Sequence, residues 1–161
     1  MRIPRSVLFA LLSLGFLAGC GGDETEGIDR LHQEALDFYD KGKYREAKAS
    51  MTRAYAAFER LEVKDKAKRV GYLRFLANIS FQLQENDKTI EYATEVSVHA
   101  LTDDDRGFAY GLLGSAYYNK GDKGKAMAYL LKAKAIFLKK LGAQHPNTKD
   151  VQSWIDGINN E

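Results

Sequence analysis

The chain has 161 residues, 45% of them hydrophobic, with 24 lysines and arginines against 22 aspartates and glutamates, and a single cysteine. That length accommodates one domain with its own core. The near-balance of charge excludes the basic footprint of a nucleic-acid binder, and a lone cysteine excludes an intramolecular disulfide.

Residues 1–5 carry Arg2 and Arg5 and no acid, residues 6–16 are nearly all apolar, and Leu17, Ala18, Gly19 and Cys20 follow. A basic start and an apolar run too short to cross about 30 Å of hydrocarbon predict a signal peptide over residues 1–19. The ending resembles the lipobox of bacterial lipoproteins. That resemblance implies cleavage before Cys20 and acylation of its thiol, hence a lipid anchor in the bacterial cell envelope. Gly21 is not the aspartate that such proteins use for inner-membrane retention, so the periplasmic face of the outer membrane is expected if the cell is Gram-negative. Removing Arg2 and Arg5 with the signal leaves 22 basic against 22 acidic side chains. Acyl chains, at about 0.8 kcal/mol per buried CH₂, would hold the chain on the membrane without help from basic residues. Residues 21–27, GGDETEG, have no apolar side chain and read as a flexible tether.

From residue 28 the apolar residues recur at helical spacing. Residues 28–62 place Leu31, Ala35 and Phe38 on one helix, Gly42, Lys43 and Tyr44 at a turn, and Ala47, Met51 and Ala54 on a second helix that runs to about Leu61. Residues 62–69 carry six charges in eight positions and read as a solvated connection. Residues 66–101 form a weaker copy: Leu73, Leu76 and Ala77 fit, whereas Ser80, Gln84, Thr89 and Val96 replace an aromatic, a turn glycine and two alanines. Asn86 and Asp87 offer a turn and a cap. Thr102, Asp103, Asp104 and Asp105 then precede a third pair of helices. Their carboxylates lack the alternation and the internal glycine of a calcium loop, and suit the positive end of a helix instead.

Residues 104–141 are the clearest copy. Tyr110, Leu113, Gly114 and Tyr117, then Ala126 and Leu130, follow the pattern W-x₂-L-G-x₂-Y…A-x₃-F of the tetratricopeptide repeat (TPR). Gly114 and Ala126 are small where two helices would cross, and Gly121 suits the left-handed turn between them. The segment resembles a TPR hairpin, which implies an all-α solenoid of three helical hairpins. Ala47, Thr89 and Ala126 stand 42 and 37 positions apart. Both spacings exceed the roughly 34-residue TPR period, so the second helices or the connections must be longer. Leu141, Gly142, His145, Pro146 and Thr148 resemble the junction between longer, kinesin-light-chain-like TPR repeats. Beyond it, Asn147 or Thr148 can cap a last helix over residues 147–159 whose Val151, Trp154, Ile155 and Ile158 share a face. Such a helix would close the open end of the stack.

No nucleophile elbow, zinc-peptidase motif or phosphate-binding loop occurs, and His32, His99 and His145 lack metal-ligand spacing. The expectation is therefore a non-enzymatic protein without cofactor or metal. In a TPR stack the concave groove is lined by the first helix of each hairpin. The resemblance places His32, Tyr39 and Asp40, then Arg74, Asn78, Phe81 and Gln82, then Ser115, Tyr118 and Asn119 in that groove. Arg74 and Asn78 are similar to half of the clamp by which some TPR domains hold a peptide carboxylate; Gly111 and Ser115 stand where the other half would be. The same residues equally suit the wet side of three helices. The expected role is a membrane-anchored adaptor for envelope proteins or peptide segments, resembling pilotins, outer-membrane assembly factors or docking sites for cell-wall enzymes. A self-assembling structural lipoprotein, and a receptor for a peptide or small ligand, are the alternatives.

Overall fold

A computed structural model describes residues 20–160. Among them the chain is all-helical: α1 Cys20–Asp40, α2 Tyr44–Arg60, α3 Lys66–Gln82, α4 Asn86–His99, α5 Asp103–Asn119, α6 Lys123–Leu141 and α7 Pro146–Asn159. Neighbours in sequence pack against each other, the three pairs α1/α2, α3/α4 and α5/α6 most extensively, and α7 lies on α6 and α5. The stacked packing of successive helices matches the all-α expectation. The signal peptide expected over residues 1–19 lies outside the described residues, and Cys20 is the first residue of α1. Residues 21–27, expected as a tether, belong to α1. Ile28, 2% exposed, fixes this part of the helix on the core.

Each pair is closed by the same turn. The amides of Gly42, Gln84 and Gly121 donate to the carbonyls of Tyr39, Phe81 and Tyr118, and those of Lys43, Glu85 and Asp122 to Phe38, Ser80 and Tyr117. The turn requires a left-handed residue, with φ of 69° at Gly42, 59° at Gln84 and 81° at Gly121. The spacing of 42 between the first two copies against 37 between the last two has two sources. α2 has 17 residues and α4 has 14, and the α2–α3 link, residues 61–65, is longer than the α4–α5 link, residues 100–102.

Helix starts follow local chemistry. Asp65 accepts from the Lys68 amide and Asp122 from the Lys125 amide, at 2.9 and 3.0 Å. Thr102 and Asp105 form a reciprocal capping box at α5, the arrangement that satisfies two otherwise orphaned amides. Two expected caps differ. α4 is preceded by Glu85 without a side-chain cap, and Asn86 and Asp87 are the first residues of the helix itself. At α7, His145 Nδ1 accepts from the Asn147 amide at 3.2 Å. Pro146 at the first helical position leaves His145 extended and so makes it the cap. Thr148 is instead buried, donating its hydroxyl to the Gly142 carbonyl at 2.9 Å.

The core is a chain of clusters running up the stack. Met51, Ala54, Phe58, Tyr72 and Leu76 join α2 to α3. Leu73, Val96 and Ala109 join α3, α4 and α5, and Leu130, Phe137, Val151 and Ile155 join α6 to α7. Gly114 sits where α5 meets α6, and a Cβ there would stand 2.6 Å from Leu130 Cγ.

Candidate functional site

α1, α3, α5 and α7 share one face of the stack, and side chains from all four meet on it. His32 of α1 packs edge-on against Tyr72 and Phe75 of α3, with ring centroids 5.1 and 6.4 Å away. Burial, then the positive charge of Lys68, holds its pKa below the ordinary value, against the opposing pull of Asp29. Tyr39 lies 5.3 Å from Phe75, and its hydroxyl accepts from Asn78 Nδ2 at 2.8 Å. Further along, Trp154 of α7 meets Phe81 of α3 at 6.5 Å and Tyr118 of α5 at 5.4 Å. All of these rings except Tyr72 are half-buried, so each keeps an edge or face open.

Arg74, expected as half of a carboxylate clamp, is committed within the chain. Its Nη1 lies 2.5 Å from Asp105 Oδ1 and 3.2 Å from Asp104 Oδ2, and the guanidinium carbon sits 4.6 Å above the Phe108 ring. Burial works against the Asp105 charge. Hydrogen bonds from the Thr102 hydroxyl, Arg74 and the Thr102 amide outweigh it and hold the pKa below the ordinary carboxylate value. Asn78 is turned to Tyr39, so the two expected clamp residues point to different partners.

Ser115, expected to line the groove, is buried, and its hydroxyl donates to the Gly111 carbonyl at 3.1 Å. Asn119 lies at the rim, donating to Asn86 Oδ1 at 3.3 Å, and Gln82 and Asp40 are exposed. The groove residues that sequence reasoning missed are Phe75, Phe108 and Trp154. Phe75 shares a face with Asn78 and Gln82, next to Arg74 within the expected row, and Phe108 shares one with Gly111 and Ser115, one turn before Gly111.

Two hollows flank Phe108. One, of about 620 Å³, is lined by Gly71, Arg74, Phe75, Asn78, Thr102 and Asp105 among others. The other, about 190 Å³, lies between Phe81, Leu112, Ser115, Val151 and Trp154. Among the described residues no group of three His, Cys, Asp or Glu side chains is placed to hold a metal ion, and no helix is long and apolar enough to cross a membrane. The surface offers apolar and aromatic contact with hydrogen-bonding edges, which suits apolar side chains of a bound chain better than an anion. Compared with protein-family models and with curated proteins, the sequence matches none.

Proposed function

We propose that this chain is a TPR-type adaptor, held on a bacterial envelope membrane by an acylated Cys20, whose inner face binds a segment of another envelope protein. The observation that carries the reading is the aromatic row across four helices: Tyr39, Phe75, Phe81, Phe108, Tyr118 and Trp154, all half-buried. An extended or helical peptide laid along that row would seat its apolar side chains in the two hollows, the helix-in-groove or extended mode of peptide recognition. Because Arg74 is paired with Asp104 and Asp105, the bound feature is an internal segment and not a terminal carboxylate. The repeat reading is supported by the three matching turns and by buried residues at equivalent positions, such as Met51, Ala93 and Leu130, spaced 42 and 37 apart.

Trp154 is the chain's only tryptophan and stands in the groove, so its emission reports occupancy. The test places a photo-crosslinking side chain at Gln82, identifies captured envelope segments, and titrates them as synthetic peptides against Trp154 fluorescence. Saturable emission changes that vanish in a folded Phe81→Ala, Tyr118→Ala variant are expected. A catch indifferent to those substitutions, or self-crosslinks alone, would move the reading to self-assembly. Cys20→Ser should leave the helical melt unchanged and release the protein from the membrane fraction.

A further inference from the structure

The outward face of α6 carries an exposed apolar stripe set among lysines. Between Lys123 and Lys149 the sequence holds seven lysines and no acid. Gly124, Ala128, Leu131, Ala135 and Leu138 are all exposed, Leu131 by 50% and Leu138 by 45%. At about 100° per residue they form one stripe along the helix, about 21 Å long at the helical rise. Lys139 flanks it on one side and Lys134 on the other, while Lys132, on the side of Lys139, holds its ammonium over the Tyr110 and Tyr129 rings. The carboxylates at the start of α5, which packs against the end of α6 through Gly107 and Phe137, are engaged elsewhere: Asp103 with Arg106, Asp104 and Asp105 with Arg74.

We propose that this face of α6 docks on an anionic phospholipid bilayer, with Leu131 and Leu138 at the acyl boundary and the flanking lysines on headgroup phosphates. Lysines on both sides of a narrow apolar stripe let the stems follow the leucines inward while the ammonium groups stay at the phosphates. Charge complementarity selects the occupant: α6 holds six lysines and no acid, and Asp122, which borders Gly124 at its start, is paired with Lys125, so the face suits a uniformly negative surface. In that orientation the inner face, on the other side of the α5/α6 pair, remains open. The inference needs neither an occupied groove nor an acylated Cys20, so each can fail without the other.

The test uses the full chain carrying Cys20→Ser, so that no acyl group contributes, and co-sedimentation with vesicles of phosphatidylcholine alone or mixed with phosphatidylglycerol. Binding to the mixed vesicles should fall about thirtyfold on Lys134→Gln with Lys139→Gln, and at least about tenfold on Leu131→Ser with Leu138→Ser. The exposed pair Lys41→Gln, Lys64→Gln should leave it in place. All these positions are at the surface or half-buried, and an unchanged helical melt verifies the fold. Equal binding to neutral vesicles, equal loss in all three pairs, or no loss in either α6 pair would overturn the proposal. So would a concentration-dependent dimer that the leucine pair abolishes, which would assign the face to a second copy.

Discussion

Hairpins α3/α4 and α5/α6 turn through the same two backbone hydrogen bonds, yet almost none of the residues that build them agree. The third has Gly121 at the left-handed position and Asp122 capping the next helix; the second has Gln84 and an uncapped Glu85. Where the third crosses its helices through Gly114 against Leu130, the second packs Ala77 beside Ala93. Ser80 occupies the site of Tyr117, fully buried, with a hydroxyl that has no partner among the described residues. The comparison teaches that two hairpins closed by the same turn can fill their crossing in different ways: a small residue facing a large one, or two of intermediate size. Identity at any one position matters less than the sum across the contact.

That rule can be broken at the third hairpin. A Cβ on Gly114 would lie 2.6 Å from Leu130 Cγ and 3.2 Å from the Ala126 carbonyl oxygen. Gly114→Leu should therefore destabilise the domain by about 3 kcal/mol or more, read as a fall in the melting temperature. The sharper form is a double-mutant cycle. Gly114→Ala alone should cost about 2 kcal/mol, and the same change in a Leu130→Ala background should cost almost nothing, because the pair then copies Ala77 and Ala93. Additive costs would show that volume is not what the two hairpins share.

How far the sequence could be read follows the same division between local and distant. Tyr110, Leu113, Gly114, Leu130 and Ala133 announce their contact through spacings within one turn or one hairpin, and the structure buries the last four of them. Gly42 and Gly121 announce their turns by type. Gln84 does not, since nothing in its chemistry requires φ of 59°; only its place between better copies does. The groove was legible as a face and not as a set of partners. Arg74 is neutralised by acids 30 and 31 positions downstream, a pairing that no helical periodicity encodes. Ser115 is on the expected face beside Phe108 and borders the second hollow, but α7 with Val151 and Trp154 closes over that end and leaves it 5% exposed.

The pairing of Arg74 with Asp105 also joins the second hairpin to the third, and it titrates. Asp105→Ala removes half of the capping box and one partner of Arg74, with an expected cost of about 2 kcal/mol. Because hydrogen bonding holds the Asp105 pKa below its ordinary value, its contribution is fully present above the unfolded-state value of roughly 4. That contribution fades as pH falls from there through the lower folded value. Urea melts across that interval should show stability falling more steeply in the wild type than in Asp105→Ala. Parallel curves would mean that the carboxylate stays satisfied when protonated, and that apolar contacts such as those of Leu73, Val96 and Ala109 and of Ala77, Ala93 and Leu113 hold the two hairpins together.

The smallest effect isolates the turn itself. Gln84 is exposed, so replacing it removes no packing, and Gln84→Gly trades a left-handed side-chain penalty of about 1–2 kcal/mol against about 0.5–1 kcal/mol of added chain entropy. The net expectation is a gain of about 0.5 kcal/mol, with the reverse change, Gly121→Gln, losing a similar amount or slightly more. The two substitutions exchange the turn chemistry of the hairpins without touching either core. Opposite signs of comparable size would show that the same turn carries the same backbone cost in both. A loss at Gln84→Gly would mean that the second hairpin, having given up its glycine, its cap and its aromatic, has come to depend on the stiffness of a side chain at the turn.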